Sequence, residues 1–258
     1  MSILPGWDLY CIETDENAKA AREYLKGKGL ESKSVALLQN FSHIGRMNIT
    51  PEIMDEAVQN AVCTKNKVFA FYGSGYFHHY TYGLCSLADR HSSEYGYIHI
   101  AHHSDYGDSD EPWLCCGGFV SFIKQYRNAR RDENLLFIGN ENLLFIGTDA
   151  VARLKYISEG EIRQKGASQL EQLLDSIPNE VYVTIDLDIM HKHDAITDFT
   201  QGNLRREELN QILKLIRQRK DIIGADVLGF AQPAPVLPEM GIKTLQLYED
   251  SIRALIGI

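Results

Sequence analysis

The sequence contains few cysteines, and none of them has the spacing of a zinc finger. The five cysteines are odd in number and form no pair separated by two residues. This pattern excludes a thiolate zinc module and a disulfide framework like that of small secreted domains. A reducing compartment suits it, and we expect an intracellular, cytoplasmic protein. The cysteines are Cys11, Cys63, Cys85, Cys115 and Cys116.

The sequence also lacks a long apolar run and an excess of positive charge. No apolar stretch approaches the ~20 residues of a membrane-spanning helix, and the first residues do not form a signal peptide. The formal net charge of −9 argues against nucleic acids and anionic membrane surfaces as partners. Cationic ligands are favoured instead.

Linker-like stretches rich in proline, glycine or serine are absent as well. The chain has 258 residues, of which 44% are hydrophobic and 24% charged, a composition typical of globular proteins. α/β proteins of this length commonly form one domain. We therefore predict a single catalytic domain over 1–258.

Apolar runs alternate along the chain with amphipathic helical patterns. This alternation predicts a three-layer α/β/α fold with a mainly parallel sheet, in which ligands bind beyond the carboxyl ends of the strands. The predicted strands are Ser34–Gln39, Lys67–Tyr72, Gly96–Ala101, Leu143–Gly147, Val181–Asp188 and Ile222–Leu228, and the predicted helices lie near Asn17–Gly27, Pro51–Val62, Phe119–Arg127, Gly166–Ser176, Arg206–Arg219 and Leu245–Ile256.

A tandem duplication interrupts this pattern. ENLLFIGN at 133–140 is followed directly by ENLLFIGT at 141–148. Only one copy can be the expected core strand. The two copies can form a hairpin that turns at Gly139 and Asn140, or the duplication is not native to the protein.

Two predicted strands end in alternating metal-ligand residues. In an extended chain, His103 and Asp105 share one face, and so do Asp186 and Asp188. Buried carboxylates in such number are strongly disfavoured unless a cation neutralises them. The segment His99–Asp105 taken alone is equally compatible with a polar surface loop, but the aspartate pair favours a metal site. Oxygen and nitrogen ligands without a thiolate suit Mn(II), and less well Mg(II), Zn(II) or Fe(II).

Other histidines lie near these strand ends in sequence. His78 and His79 follow an earlier strand, so one of them is predicted to reach the metal site, although paired aromatics and histidines can also fill a core. His191 and His193 follow the aspartate pair and are candidate proton shuttles, with solvated loop residues as the alternative. His102 lies on the strand face opposite His103, which favours a packing or supporting role.

Taken together, these segments resemble the arginase and ureohydrolase superfamily. The stretches GSGYFHHYT (73–81), AHHSD (101–105) and TIDLD (184–188) correspond to the family motifs GGDHS, DAHxD and SxDxD. TDFTQGNLRREEL (197–209) and IIGADVLGFAQP (222–233) are similar to the segments that follow, so the resemblance covers roughly 67–233. It implies an arginase-like fold, two Mn²⁺ ions, and hydrolysis of a guanidino group to an amine and urea.

The resemblance implies a ligand set with one member missing. His103, Asp105, Asp186 and Asp188 match family ligands, as does His78, with His79 as its competitor. The first aspartate of DAHxD falls on Ala101, which cannot coordinate a metal. A natural loss of the aspartate would make the protein a one-metal enzyme or an inactive homologue. Alternatively, Ala101 is an engineered replacement of a native aspartate, and the otherwise intact ligand set favours this second explanation. We expect impaired activity and fewer than two Mn²⁺ ions in this form.

Two further departures from the family concern the substrate. Gly229 lies where the family carries the glutamate that anchors the guanidinium. Asp108, Asp110 and Glu111 bring negative charge to the loop with which free-arginine enzymes bind the α-carboxylate. We therefore expect a substrate without a free carboxylate.

Arginine within a peptide is the favoured substrate, because the chain also resembles the peptide arginases that modify ribosomally made peptides. The alternatives are an agmatinase or other ureohydrolase, a zinc deacetylase of the same fold, and a catalytically inactive protein that binds cationic peptides. Arginine-containing peptides or small guanidino compounds are thus the expected partners.

Overall fold

A computed structural model describes residues 6–37, 49–107, 112–123, 143–147, 155–165, 167–231 and 238–258. Within these ranges eight strands form one sheet in the order β2-β1-β3-β8-β7-β4-β5-β6, and every pairing is parallel. The strands are β1 (Trp7–Ile12), β2 (Lys33–Val35), β3 (Lys67–Phe71), β4 (Gly96–Ile100), β5 (Leu143–Gly147), β6 (Lys155–Ser158), β7 (Glu180–Asp186) and β8 (Asp221–Leu228).

Helices lie between consecutive strands, as is usual for parallel pairing, except between β5 and β6, where 148–154 lie outside the described residues. Asp15 begins the first helix by accepting a hydrogen bond from the backbone N–H of Ala18, and Thr50 followed by Pro51 begins the second. The helices are α1 (Glu16–Gly27), α2 (Pro51–Ala61), α3 (Tyr80–Ala88), α4 (Phe119–Phe122), α5 (Glu159–Lys165), α6 (Ala167–Asp175), α7 (Arg206–Arg219) and α8 (Pro238–Ile256).

Side chains on the two faces of the sheet enter separate hydrophobic cores. Residues such as Ile98, Val183 and Val227 pack with α1, α6, α7 and α8 in one core. Their neighbours Tyr97, Tyr182 and Leu228 pack with α2, α3 and α4 in the other. The predicted three-layer α/β/α class with a parallel sheet is confirmed.

A row of polar side chains crosses the centre of the second face. Parallel register pairs His99 with Thr184 and Thr184 with Asp226 on β4, β7 and β8. All three residues are fully buried. The row lies one step below the carboxyl ends of the strands, directly beneath the predicted site.

Segments of regular structure that the sequence patterns did not indicate are β1, β6, α3 and α5. All nine residues of α3 are buried, so this helix has no polar face and lacks the periodicity by which a surface helix is found. The second copy of the tandem duplication supplies β5, which pairs parallel with β4 and β6. The first copy, 133–140, lies outside the described residues, as do 38–39 of the predicted strand Ser34–Gln39 and 124–127 of the predicted helix Phe119–Arg127.

None of the helices in the described ranges combines the length and apolar character that a bilayer crossing requires.

Candidate metal centre

The segment after β3 brings a histidine to the carboxyl edge of the sheet. A short 3-10 turn, Gly75–Phe77, begins at Ser74, whose hydroxyl accepts a hydrogen bond from the Tyr76 N–H. A side chain at Gly73 would place its Cβ 1.8 Å from an Asp15 oxygen, so only glycine fits there. The turn ends at His78 and aims its ring into the site.

His78 lies at the centre of the candidate ligand cluster. Its Nδ1 is 2.8 Å from Asp105 Oδ2 and 3.3 Å from Asp186 Oδ2, and its Nε2 is 3.1 Å from Thr184 Oγ1. Of the two histidines considered from the sequence, the structure places His78 in the cluster. His79 is buried with its ring edge-on to Tyr80, at a centroid distance of 5.0 Å.

The prediction that Asp186 and Asp188 alternate along an extended strand is wrong in one respect. β7 ends at Asp186, and Asp188 lies in a 3-10 turn, Leu187–Ile189. The turn forms because Asp186 Oδ1 accepts a hydrogen bond from the Asp188 N–H at 2.9 Å. Both carboxylates nevertheless reach the same pocket.

The alternation predicted for His103 and Asp105 also fails, because β4 ends at Ile100. The chain then bends, and Asp105 adopts φ +48°, a left-handed conformation that is uncommon for residues other than glycine. Such backbone is held by its surroundings and is frequent at binding sites. It turns the Asp105 carboxylate toward His78, while the His103 Nδ1 lies 2.9 Å from Asp188 Oδ2.

His102 contributes its backbone amide to this arrangement, and its ring packs edge-on against the His103 ring at a centroid distance of 4.6 Å. Its N–H donates to Asp188 Oδ1 at 2.7 Å. Together with the His103 ring, this bond fixes both oxygens of Asp188. His102 therefore supports the site, as expected, and it does so through its backbone amide.

Burial and mutual repulsion shift the titration of the clustered groups. Burial raises the pKa of Asp188 to about 8, and the nearby charge of Asp186 adds to the shift. Burial likewise raises the pKa of Asp105, although hydrogen bonding to His78 opposes it. Burial disfavours protonated His78, but hydrogen bonds to Asp105 and Asp186 outweigh that effect and raise its pKa to about 10.

These residues fit a divalent cation. Ligand atoms of His78, His99 and Asp105 all lie within 4.8 Å of one another, and Asp186 adjoins them. The carboxylates lie so close together that part of the cluster binds protons in the metal-free chain. A cation would displace these protons. Cys116 lines the same pocket, but burial raises the pKa of its thiol to about 12, so the donor set is nitrogen and oxygen.

His99 is a site residue that the sequence patterns did not single out. It lies inside β4 and is fully buried, so the surface-loop alternative is wrong for this residue. Its Nε2 is 3.6 Å from Asp105 Oδ2, and its ring stacks on His78 at 5.0 Å. The available signal was its period-two spacing from Ala101, which places both side chains on one face.

Asp226 is a second residue that those patterns did not single out. It is fully buried beneath the cluster and accepts hydrogen bonds from Tyr182 Oη and Thr184 Oγ1, each at 2.6 Å. A third bond comes from Thr81 Oγ1 at 3.2 Å. Because Thr184 also contacts His78, Asp226 helps to fix the imidazole through an intervening hydroxyl.

Ala101 lies at the end of β4, level with Asp186. The preceding residues, Ile100 and Ile185, are register partners, and the Ala101 N–H donates to the Ile146 carbonyl at 3.2 Å. Its methyl group is 1% exposed. An aspartate at this position would therefore stand beside Asp186 in the interior of the site.

Gly229 follows β8 with φ +106°, a conformation available essentially to glycine. A Cβ here would lie 2.3 Å from Asp186 Oδ1, and the Gly229 N–H donates to the Gly73 carbonyl at 2.8 Å. No side chain fits at 229 while Asp186 holds its place. A guanidinium-anchoring glutamate at this position is therefore incompatible with the observed site.

The cluster opens into a cavity of about 400 Å³. Asp105, Asp186, Asp188 and His103 line it, and Phe199 forms part of its wall. The other lining residues are Gly75, Ser104, Tyr106, Gly107, Cys116 and Gly117.

The proposed proton shuttles lie to one side of this cavity. His191 lines a neighbouring cavity that shares Phe199, and its Nδ1 accepts a hydrogen bond from the His193 N–H. Asp108, Asp110 and Glu111 lie outside the described residues. The roles predicted for all five residues stay predictions.

Comparisons with known proteins agree with this architecture. The model of the Arginase family matches residues 15–236, so this chain belongs to that family, whose fold is that of hydrolases acting on guanidino C–N bonds. No curated protein sequence matches the chain significantly.

Solved structures show the same fold at low sequence identity. Arginase from Bacillus subtilis is 14% identical with a TM-score of 0.66, covering 97% of this chain and 98% of that one. Arginase from Helicobacter pylori is 16% identical with a TM-score of 0.68, covering 96% and 99%. The agmatine ureohydrolase of Thermoplasma volcanium is 12% identical with a TM-score of 0.62, covering 97% and 89%.

Substitution of Gly229 tests the close contact with Asp186. We expect Gly229→Ala to lower the free energy of unfolding by at least ~1–3 kcal/mol, because alanine is strained at this φ and its Cβ displaces Asp186. Metal affinity should fall with it. Urea unfolding and metal titration measure the two effects, and Gly27→Ala, where a Cβ meets nothing within 4 Å, is the control. Unchanged values for Gly229→Ala would contradict the contact.

The raised pKa of Asp188 predicts how metal-free stability depends on pH. The Asp188 carboxyl group binds its proton more tightly in the folded chain than in the unfolded one. The stability of the folded chain therefore falls as pH rises from the ordinary pKa of 3.8 to the folded pKa of about 8. His78 acts in the same direction, since its contribution is full below 6.5 and is lost as pH rises through about 10.

We therefore expect the free energy of unfolding of Asp188→Asn, relative to that of the parent protein, to rise by ~1 kcal/mol or more from pH 5 to pH 8. Urea unfolding in EDTA at the two pH values measures this difference, with the exposed-residue change Glu23→Gln as the control. A pH-independent difference would mean that Asp188 is ionised throughout this range.

Proposed function

We propose that this protein is a manganese-dependent hydrolase of guanidino groups, acting on arginine side chains within a peptide to give ornithine and urea. The observation that supports this most directly is the cluster of His78, Asp105 and Asp186 at the carboxyl edge of an Arginase-family sheet. Asp188 and His103 extend the cluster toward the cavity.

The reaction demands strong activation of water. Guanidinium is resonance-stabilised and a poor electrophile, so its hydrolysis requires attack by water oxygen on the central carbon and protonation of the departing amine nitrogen. A divalent metal, when bound, supplies Lewis acidity and lowers the pKa of a bound water from ~15.7 toward ~7. With an aspartate at position 101, the residues that would hold a pair of such ions are His78, His103, Asp105, Asp186 and Asp188.

The chain itself supplies positioning and charge. Asp105, Asp186 and Asp188 line the cavity, and one of their three negative charges stays unbalanced when one divalent ion is bound. This charge favours a cationic guanidinium over an anionic ligand. The buried bonds from Tyr182 and Thr184 to Asp226 hold the floor of the site rigid. We assign protonation of the leaving amine to His191 or His193, because His191 lines a neighbouring cavity that shares Phe199 with the site.

Mn(II) is the favoured metal because the donors are carboxylate oxygens and imidazole nitrogens. Two ions are expected when an aspartate occupies position 101, and fewer with Ala101. We propose that the Ala101 form is impaired for this reason.

The cavity walls support a substrate without a free α-carboxylate. Among the described residues that line the cavity there is no lysine or arginine to pair with such a group. Asp108, Asp110 and Glu111, which follow the cavity-lining Gly107 in the sequence, would repel such a group. An arginine residue in a peptide has amides in place of both charged termini and avoids this repulsion.

Agmatine is the second candidate substrate, since it also carries a guanidinium without a carboxylate. The fold shared with an agmatine ureohydrolase supports testing it. A zinc deacetylase or an inactive cationic-peptide-binding protein is the outcome if guanidino compounds are not hydrolysed. A cytoplasmic location remains part of the proposal, as does the absence of nucleic-acid and membrane partners.

Restoring a carboxylate at position 101 tests the metal requirement. We expect Ala101→Asp to raise Mn²⁺ occupancy toward two ions and turnover by at least about tenfold, because the added carboxylate beside Asp186 would supply the missing ligand. Metal analysis after dialysis and urea release from an arginine peptide are the measurements. Ala101→Asn, which has the same shape without the charge, is the matched control. Equal turnover by the parent protein and by Ala101→Asp would mean that another residue supplies this contact.

Substrate choice tests the charge argument. A like-charge pair at ~4 Å is unfavourable by about 4 kcal/mol at an effective dielectric of ~20, and solvent exposure reduces this considerably. We expect the active form to prefer peptidyl arginine to free arginine by at least about tenfold in kcat/KM, in competition kinetics followed by mass spectrometry. Agmatine is assayed in parallel.

The control for that preference is a triple variant with Asp108→Asn, Asp110→Asn and Glu111→Gln. It should narrow the difference between the two substrates, mainly at low salt, because screening already weakens the repulsion at high salt. Equal or better use of free arginine by the parent protein would disprove the charge argument.

A further inference from the structure

We propose that His99 takes the place of the carboxylate missing at Ala101, so that this chain holds one transition-metal ion on His78, His99 and Asp105. The inference rests on the proposed function only in assuming that the site binds a metal. Metal binding can be measured without any substrate, so the two proposals can fail separately.

The position of His99 makes it a ligand candidate on geometry alone. It lies on β4, two residues before Ala101, which directly follows the strand, and it projects from the same face of the sheet as Thr184 and Asp226. Its Nε2 lies 3.6 Å from Asp105 Oδ2, and the ring stacks on His78 with planes only 12° apart. Both imidazoles therefore approach the Asp105 carboxylate from neighbouring positions.

The distances suit a single ion after a small contraction. Ligand atoms bound at ~2.0–2.2 Å to one metal are roughly 2.8–3.6 Å apart in adjacent positions and roughly 4.0–4.4 Å apart in opposite positions. The three candidate ligand atoms lie within 4.8 Å of one another, and Asp186 Oδ2 is 3.3 Å from His78 Nδ1. Shifts of less than about 1 Å would close the set, with Asp186 as a fourth donor.

The second nitrogen of His99 is already anchored. His99 Nδ1 lies 3.2 Å from Tyr97 Oη, which can accept its proton, and a ligand imidazole is usually fixed by such a contact on its other nitrogen. In that tautomer Nε2 carries a lone pair and can coordinate. The same Nε2 lies 3.2 Å from the His103 carbonyl, so the tautomer with Nε2 protonated has a partner when no metal is bound.

Charge balance favours one ion over two. His78 and His99 as neutral ligands leave Asp105 and Asp186 to supply two negative charges, which match one divalent cation. His103 and Asp188 form a separate pair, with Nδ1 2.9 Å from Oδ2, and the His103 side chain is 37% exposed. Because position 101 has no carboxylate, the His103–Asp188 pair and Asp186 lack one ligand oxygen that a second ion would need.

Two glutamine variants distinguish His99 from His103 as the second imidazole ligand. The purified full chain is stripped with a chelator and titrated with Co(II) alone, and X-ray absorption then reports the number of imidazoles bound. We expect about one equivalent of Co(II) with two imidazoles in the parent protein. His99→Gln should leave one bound imidazole and weaken the affinity for Co(II) by at least about 100-fold. Residues that only support a ligand typically cost about 10–100-fold, so a loss of this size indicates a direct ligand.

His103→Gln should retain the single equivalent, both imidazoles and an affinity within about threefold of the parent. This variant also keeps the test decisive if the buried His99→Gln protein fails to fold, because His103 is partly exposed. His102→Gln, which preserves the backbone amide that binds Asp188, is the matched control and should behave like the parent.

Loss of one imidazole in His103→Gln, with both kept in His99→Gln, would overturn the proposal. So would a parent protein that binds no Co(II) or binds two equivalents. Urea release by the Ala101→Asp protein is measured separately, and its presence or absence bears only on the proposed function.

Discussion

The site depends on the placement of three carboxylates at the buried edge of a parallel sheet. Asp105, Asp186 and Asp188 converge there, with His78 as the nearest counter-charge. Three ionised carboxylates in such surroundings repel one another and lose hydration, so the chain alone keeps part of the cluster protonated. A bound cation relieves both effects. The same repulsion that disfavours the metal-free site therefore provides much of the affinity for a metal.

The layer below this edge explains how the cluster is held. Tyr182, Thr184 and Thr81 donate to Asp226, and Thr184 reaches on to His78. The hydroxyls of Tyr182, Thr184 and Thr81 and both oxygens of Asp226 have partners, which makes this network rigid, whereas a partly satisfied network would be costly. β7 and β8 contribute Tyr182, Thr184 and Asp226, and α3 contributes Thr81. The floor of the site is consequently part of the sheet itself and not of a mobile loop.

The sequence revealed the fold class because parallel strands buried on both faces read as apolar runs followed by helical patterns. The ligand segments were found for a related reason, since carboxylates directly after an apolar strand are rarely structural. The local geometry beyond the strand ends could not be obtained from periodicity. Asp188 reaches the pocket through a 3-10 turn, and Asp105 through a left-handed residue, where the two-residue alternation of a strand no longer applies.

His99 and α3 were missed for a different reason. Both are buried, and a fully buried segment carries no contrast between polar and apolar faces. A histidine inside an apolar strand gives no indication of which neighbour it faces until the sheet order is known. The order places β4 beside β7, and β3 beside β8, so His99 meets residues that follow β3. That juxtaposition depends on crossovers between strands distant in sequence.

Gly229 links the metal site to substrate recognition. Glycine is required at 229 because a Cβ there would collide with Asp186. Position 229 therefore cannot carry the glutamate that, by the family resemblance, would bind a guanidinium. Recognition must then come from groups that remain around the cavity. The three carboxylates provide charge, and Phe199, with its ring centroid 4.7 Å from that of Tyr76, provides an aromatic surface against which a planar cation can stack. Under the proposed function, a guanidinium held in this way is selected by its charge and its planar shape.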